Sequence, residues 1–117
     1  MSANRSPITT HVLDVSVGRP ACGVRVRLAI LRGGEFEEIA GGETDADGRV
    51  GRLLEPGASI EAGTYRLSFD VAEYFQASAR RSFYPHVDIV FTIDAPDEHY
   101  HVPLLLSPYG YSTYRGS

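Results

Sequence analysis

The chain has 117 residues, the size of one ordinary domain, and its net charge of −4 comes with no basic cluster, which excludes the positive footprint that nucleic-acid binding requires. All 11 basic residues are Arg, so a lysine Schiff base, a P-loop lysine and a lysine general base are excluded too. Cys22 stands alone; no intrachain disulfide can form, and a small packing or loop residue in a reducing compartment is expected.

Residues 1–7 are expected to be a disordered segment, and 8–117 a single domain. Arg5 is followed by no apolar stretch, so the start does not read as a secretory signal. No run approaches membrane-spanning length, and the tail fits neither a prenylation box nor a peroxisomal address. A cytoplasmic protein without membrane contact is the expectation.

Ile8 to Val15 reads as a strand in which Ile8, Thr10 and Val12 alternate with Thr9, His11 and Leu13. Gly18 to Ala21 reads as a turn. Val24 to Ile30 sets apolar residues against Arg25 and Arg27, the pattern of a half-buried strand. Gly33-Gly34 leads by a hairpin into Phe36–Ala40. Thr44 to Arg49 is a turn entering a short strand around Val50 to Leu53. Thr64 to Asp70 alternates again. Val71 to Arg80 is the one helical segment, with Val71, Tyr74, Phe75 and Ser78 on one face and Asp70 as its cap. Val87–Ile93, Tyr100–Ser107 and Tyr111–Arg115 complete eight short strands, with Pro108-Tyr109-Gly110 as the last turn. The class is all-β, a sandwich of two sheets with one short helix.

The tail from His99 to Ser117 holds a His-x-His pair, an apolar run and an aromatic ladder, and is expected to be ordered and part of a site. If Val12 faces the core, His11 faces outward. His99 and His101 share a face of a regular strand. A zinc site needs three or four ligands, and no Cys/His or Glu-x-x-His cluster supports one. No metal or other cofactor is expected, and acid–base chemistry is left open for His101. Asp45-Ala46-Asp47-Gly48 resembles a calcium loop, but the glycine comes too early and no bidentate Glu follows, so a plain turn is expected. Ser107, Ser112 and Ser117 lack a Gly-x-Ser-x-Gly elbow, which argues against a serine triad. An edge strand bearing Tyr111 and Tyr114 beside the Leu run offers an oligomerisation surface.

Thr9-Thr10-His11-Val12-Leu13-Asp14, Gly18-Arg19-Pro20-Ala21, Thr44 to Arg49, Phe83-Tyr84-Pro85 and the tail ending in Tyr-Arg-Gly-Ser resemble the 5-hydroxyisourate hydrolases, the transthyretin-related enzymes of urate breakdown. The resemblance runs from about Ile8 to Ser117. It implies a transthyretin-like β-sandwich of two four-stranded sheets. It also implies a homotetramer, a dimer of dimers, whose channels are lined by the first and last two strands. Its implied substrate is 5-hydroxyisourate, with His11, Arg49, His101 and Ser117 catalytic and His11, Arg49, His101 and Tyr114 holding the substrate. The hormone carrier transthyretin has Lys, Glu and Thr where His11, Arg49 and His101 stand, and a small Thr at Tyr114. A small-ligand carrier of transthyretin type is the alternative.

Overall fold

The computed structural model describes residues 6–117; most of the segment expected to be disordered, residues 1–5, lies outside the described residues. Ser6 and Pro7 are tied in: the Ser6 hydroxyl donates to the Ile8 carbonyl and accepts from the Leu54 amide, and the Pro7 carbonyl accepts from the Tyr100 amide. The strands are β1 (Ile8–Asp14), β2 (Arg19–Pro20), β3 (Arg25–Arg32), β4 (Glu35–Glu43), β5 (Gly63–Phe69), β6 (Val87–Ile93), β7 (Tyr100–Ser107) and β8 (Gly110–Thr113), with helix α1 (Val71–Ala77) between β5 and β6. They form two four-stranded sheets, ordered β2-β1-β7-β8 and β4-β3-β5-β6. Only β1 and β7 run parallel; every other pairing is antiparallel.

The period-two pattern decides which face is buried. Along β1, Ile8, Thr10, Val12 and Asp14 point inward, while Thr9, His11 and Leu13 are half-exposed on the outer face. From the facing sheet, Val26, Leu28, Leu67 and Phe69 meet Val12, Leu104 and Leu106, and Phe75 of α1 joins the same core. Each such side chain contributes about 1.5–3 kcal/mol by leaving water. The described residues include no helix long and apolar enough to cross a membrane.

Four local expectations need correction. The segment around Val50 to Leu53 is not a strand: only Arg49 bridges β1, at His11. The Arg19–Pro20 stretch, expected as a turn, instead pairs with Leu13 and Asp14. That edge of β1 is therefore divided between two short partners, and neither can extend. Helix α1 stops at Ala77, short of Arg80, because Ala79 takes a left-handed φ of 58° and the Arg80 amide turns back to the Phe75 carbonyl. That closure usually uses glycine, so the sequence carries no signal for it. Asp70 makes no capping bond; its carboxylate accepts from Arg27 Nη2 at 2.8 Å.

Candidate active site

The parallel pairing of β1 with β7 brings the two ends of the chain together. Thr9 lies beside His101 and His11 beside Pro103. Both Thr9 and His101 belong to the half-exposed outer set of their strands. The Thr9 hydroxyl lies 2.8 Å from His101 Nδ1 and 3.1 Å from His99 Nε2. His99 and His101 therefore converge on one oxygen.

Arg49 arrives from the 44–49 turn. Asp45 Oδ1 accepts the amides of Asp47 and Arg49, and its backbone carbonyl accepts the Gly48 amide. The aspartate thus serves turn geometry, as the sequence pattern implied. Gly48 has φ of 77°, and a Cβ there would lie 2.4 Å from the Val12 carbonyl oxygen and 3.2 Å from the His11 ring. Only glycine permits this approach, and it seats Arg49 against the backbone of His11.

The tail closes the other side. The Gly116 amide donates to the His101 carbonyl at 2.8 Å, which folds the segment after β8 back along β7. Arg115 holds that return by pairing with Glu98 at 3.0 Å and lying 4.2 Å over the Tyr100 ring. Gly116 sits on the imidazole: an added Cβ would lie 2.6 Å from His101 Cδ2.

These elements bound an open cleft of about 380 Å³, whose walls include Arg49, His99, His101 and Ser117. Thr9, Thr10 and Asp45 also line it, as do Val50 and Gly51, which follow Arg49 in the chain. Of the residues expected from sequence, Arg49, His101 and Ser117 share this cleft. His11 adjoins it through its backbone bridge to Arg49 but is not a wall residue. Tyr114, 58% exposed, lines a separate apolar groove with Phe91, Tyr100 and Val102. Sequence reading missed Thr9 and Thr10, whose only signal was their place on the outward and inward faces of a strand next to His11.

The electrostatics of the cleft favour a neutral His101. Burial pushes the His101 pKa below its usual 6.5, and the charges of Arg49, His99 and His11 push it further, against a smaller opposing effect of the Thr9 backbone. The imidazole is held neutral, the form a base requires. Among the described residues no three His, Cys, Asp or Glu side chains gather as a metal site would need. A neutral imidazole beside a guanidinium can take a proton from water and stabilise an oxyanion.

The sequence matches the HIUase/transthyretin family over residues 8–116. The chain belongs to that family. It is 46% identical over 119 residues to the 5-hydroxyisourate hydrolase of Mus musculus, covering 100% of each chain. The structure of Klebsiella pneumoniae 5-hydroxyisourate hydrolase superposes with a TM-score of 0.81 at 38% identity, over 94% of this chain and 98% of that one. Sea bream transthyretin, solved in complex with thyroxine, superposes with a TM-score of 0.86 at 32% identity, over 94% of each chain. The backbone is thus shared with both a 5-hydroxyisourate hydrolase and a transthyretin solved with thyroxine, and side chains must separate them.

Proposed function

We infer that the protein hydrolyses 5-hydroxyisourate to 2-oxo-4-hydroxy-4-carboxy-5-ureidoimidazoline, opening the six-membered ring at an amide-like C–N bond. One observation carries this reading beyond the likeness to named hydrolases: an imidazole held neutral beside an arginine in an open cleft. The carrier alternative has no need of that pair.

The reaction requires three services. A base takes a proton from water while the water oxygen bonds to the ring carbonyl carbon. A donor stabilises the negative charge that develops on the carbonyl oxygen. An acid then delivers the proton to the nitrogen as the C–N bond breaks. His101 is the favoured base because it lies in the cleft and its pKa is lowered. After accepting the water proton it is the natural donor to the leaving nitrogen, so the cycle needs no cofactor. Arg49 holds the anionic substrate and the oxyanion through its planar fork of N–H groups. His11, next to Arg49, orients the substrate. Ser117 supplies a hydrogen-bonding group at the cleft wall.

The cleft is open in one protomer, and β1 and β7 present its histidines on an outward sheet face. Copies meeting over that face as a homotetramer, a dimer of dimers, would cover the cleft and bring Tyr114 of the edge segment towards a substrate channel. A cytoplasmic enzyme of urate breakdown is the setting this chemistry fits.

The test is spectrophotometric. Hydroxyisourate is generated in place with urate oxidase, and the protein is added. Accelerated decay of the intermediate is expected; a decay rate no faster than the spontaneous one overturns the reading. The carrier reading, favoured by the likeness to sea bream transthyretin, predicts displaceable thyroxine binding without hydrolysis.

A further inference from the structure

We propose that the Thr9 hydroxyl is a positioning group for His101: it selects which ring nitrogen carries the proton and couples that choice to His99. The proposal rests on the reading of His101 as the base and adds two residues to it.

The geometry leaves few arrangements. Thr9 Oγ1 lies within hydrogen-bond reach of both His101 Nδ1 and His99 Nε2, at 2.8 and 3.1 Å. A hydroxyl has one hydrogen and two lone pairs; with these two rings as its partners among the described residues, its hydrogen is used only if it donates to one ring and accepts from the other. In the first arrangement His101 Nδ1–H donates to Thr9, and the Thr9 hydroxyl donates to His99 Nε2. A neutral His101 then has a bare Nε2, ready to accept a proton. In the second arrangement His99 Nε2–H donates to Thr9, and Thr9 donates to His101 Nδ1. A neutral His101 then carries its proton on Nε2 and cannot act as a base there.

The ring has only one edge to offer the cleft. Thr9 occupies the Nδ1 side. Gly116 packs on the Cδ2 side, where an added Cβ would lie 2.6 Å from the ring. The Cε1–Nε2 end remains to meet a reactant. The first arrangement is therefore the productive one, and it requires His99 to be the Nδ1–H tautomer with Nε2 accepting. Catalytic histidines are commonly oriented in this way by a carboxylate. A hydroxyl passed on to a second imidazole performs the same selection without adding a negative charge beside the ring.

The cycle is balanced without moving the relay. His101 Nε2 accepts the water proton, giving an imidazolium with both nitrogens protonated. Nε2 then returns that proton to the leaving nitrogen. Throughout, Nδ1–H remains on Thr9 and the Thr9 hydrogen remains on His99.

The experiment combines imidazole ¹⁵N–¹H correlation spectra of the labelled protein, recorded where His101 is neutral, with kcat and KM for hydroxyisourate. In the wild type His101 is expected as the Nδ1–H tautomer. Thr9→Val keeps the β-branched shape and should shift His101 towards Nε2–H. It should lower kcat at least about tenfold, as loss of such supporting partners commonly does, with little change in KM. Thr9→Ser should restore both, and His99→Phe should give a smaller loss in kcat with a mixed tautomer. A wild-type His101 found as Nε2–H overturns the proposal, as does a Thr9→Val enzyme with unchanged kcat or a change in KM alone. Should Thr9→Val not fold, the Thr9→Ser and His99→Phe spectra decide by the same tautomer criterion. A protein with no hydroxyisourate activity would refute the function above, while the wild-type and Thr9→Val spectra would still settle the relay.

Discussion

Strand β1 carries a polar cluster at each end, and the two are built on opposite principles. At its end Asp14 is fully buried and charge-compensated: its carboxylate takes Arg80 Nη2 at 2.8 Å, the Tyr74 hydroxyl at 2.7 Å, and both the amide and the hydroxyl of Ser16. Burial pushes the Asp14 pKa up, but the hydrogen bonds from Ser16, Arg80 and Tyr74 outweigh it and hold the carboxyl below 3.8. Burial and the adjacent carboxylate push the Tyr74 pKa up to about 12. Everything there is paired, and the cluster pins α1 and the chain after it to the sandwich. Near the start of β1, Thr9 and His11 belong to a site where burial and the positive charge of Arg49 lower the His101 pKa. The side-chain carboxylate on the cleft wall, Asp45, is engaged by its own turn. A compensated cluster stabilises a fold; burial beside a guanidinium keeps an imidazole neutral and suits the site to an anion.

Removing the cleft groups breaks the contrast most sharply. His101→Asn and Arg49→Met should each lower turnover about a hundredfold to a thousandfold, the range for loss of a group that acts in the transition state. Stability to urea should not fall in Arg49→Met, because a positive charge beside the histidines is removed, and should change little in His101→Asn, because the half-exposed ring is neutral and outside the core. Wild-type turnover in both variants would remove these residues from the chemistry.

The reverse is expected at the far end of β1. Asp14→Ala leaves Tyr74, Arg80 and the Ser16 amide without their acceptor and should destabilise the fold by about 3 kcal/mol. Denaturant unfolding reads the loss, and turnover of the folded fraction should be unchanged. An Asp14→Ala protein as stable as wild type would contradict the structural role of this cluster.

Gly116→Ala tests the seating of the base. The new methyl must displace the His101 ring or the tail, with an expected loss in kcat of about tenfold and little change in unfolding midpoint. Unchanged kcat would show that the ring tolerates movement.

The smallest effects are in pH dependence, and the two clusters should differ in window. Asp14 has a folded pKa below its unfolded value, so its stabilisation is complete above about 3.8 and is lost as pH falls through the folded value. His101 also titrates below its ordinary 6.5. Its proton is gained only as pH falls below that point, so kcat/KM should stay level near neutrality and decline at more acid pH. A titration of His101 by NMR above 6.5 would invert this expectation. In Arg49→Met the His101 pKa should rise, because a neighbouring positive charge has gone.

Much of this was legible in the sequence because alternation is a local property. The inward set Ile8, Thr10 and Val12, the outward His11 and the shared face of His99 and His101 all follow from a two-residue period. The turn at Asp45 to Gly48 is equally local, since its residue types tolerate the backbone it needs. The left-handed Ala79 that ends α1 carried no such signal, and neither did the two-residue strand at Arg19–Pro20, which exists only because β1 has an edge to offer.

The amino-acid order alone determined the class of fold, the outward face of β1 and the shared face of His99 and His101, while Arg49 and Ser117 were indicated only through the family resemblance and Thr9 and Thr10 not at all. Only the tertiary structure decided that Thr9 stands across from His101, that Arg49 meets His11, that Gly116 lies on an imidazole and that Tyr114 lines the neighbouring groove. The reason is range. A side chain's direction along a strand is set by its own backbone, whereas the neighbour it touches is set by parallel pairing of segments about ninety residues apart, and no short window of sequence contains both.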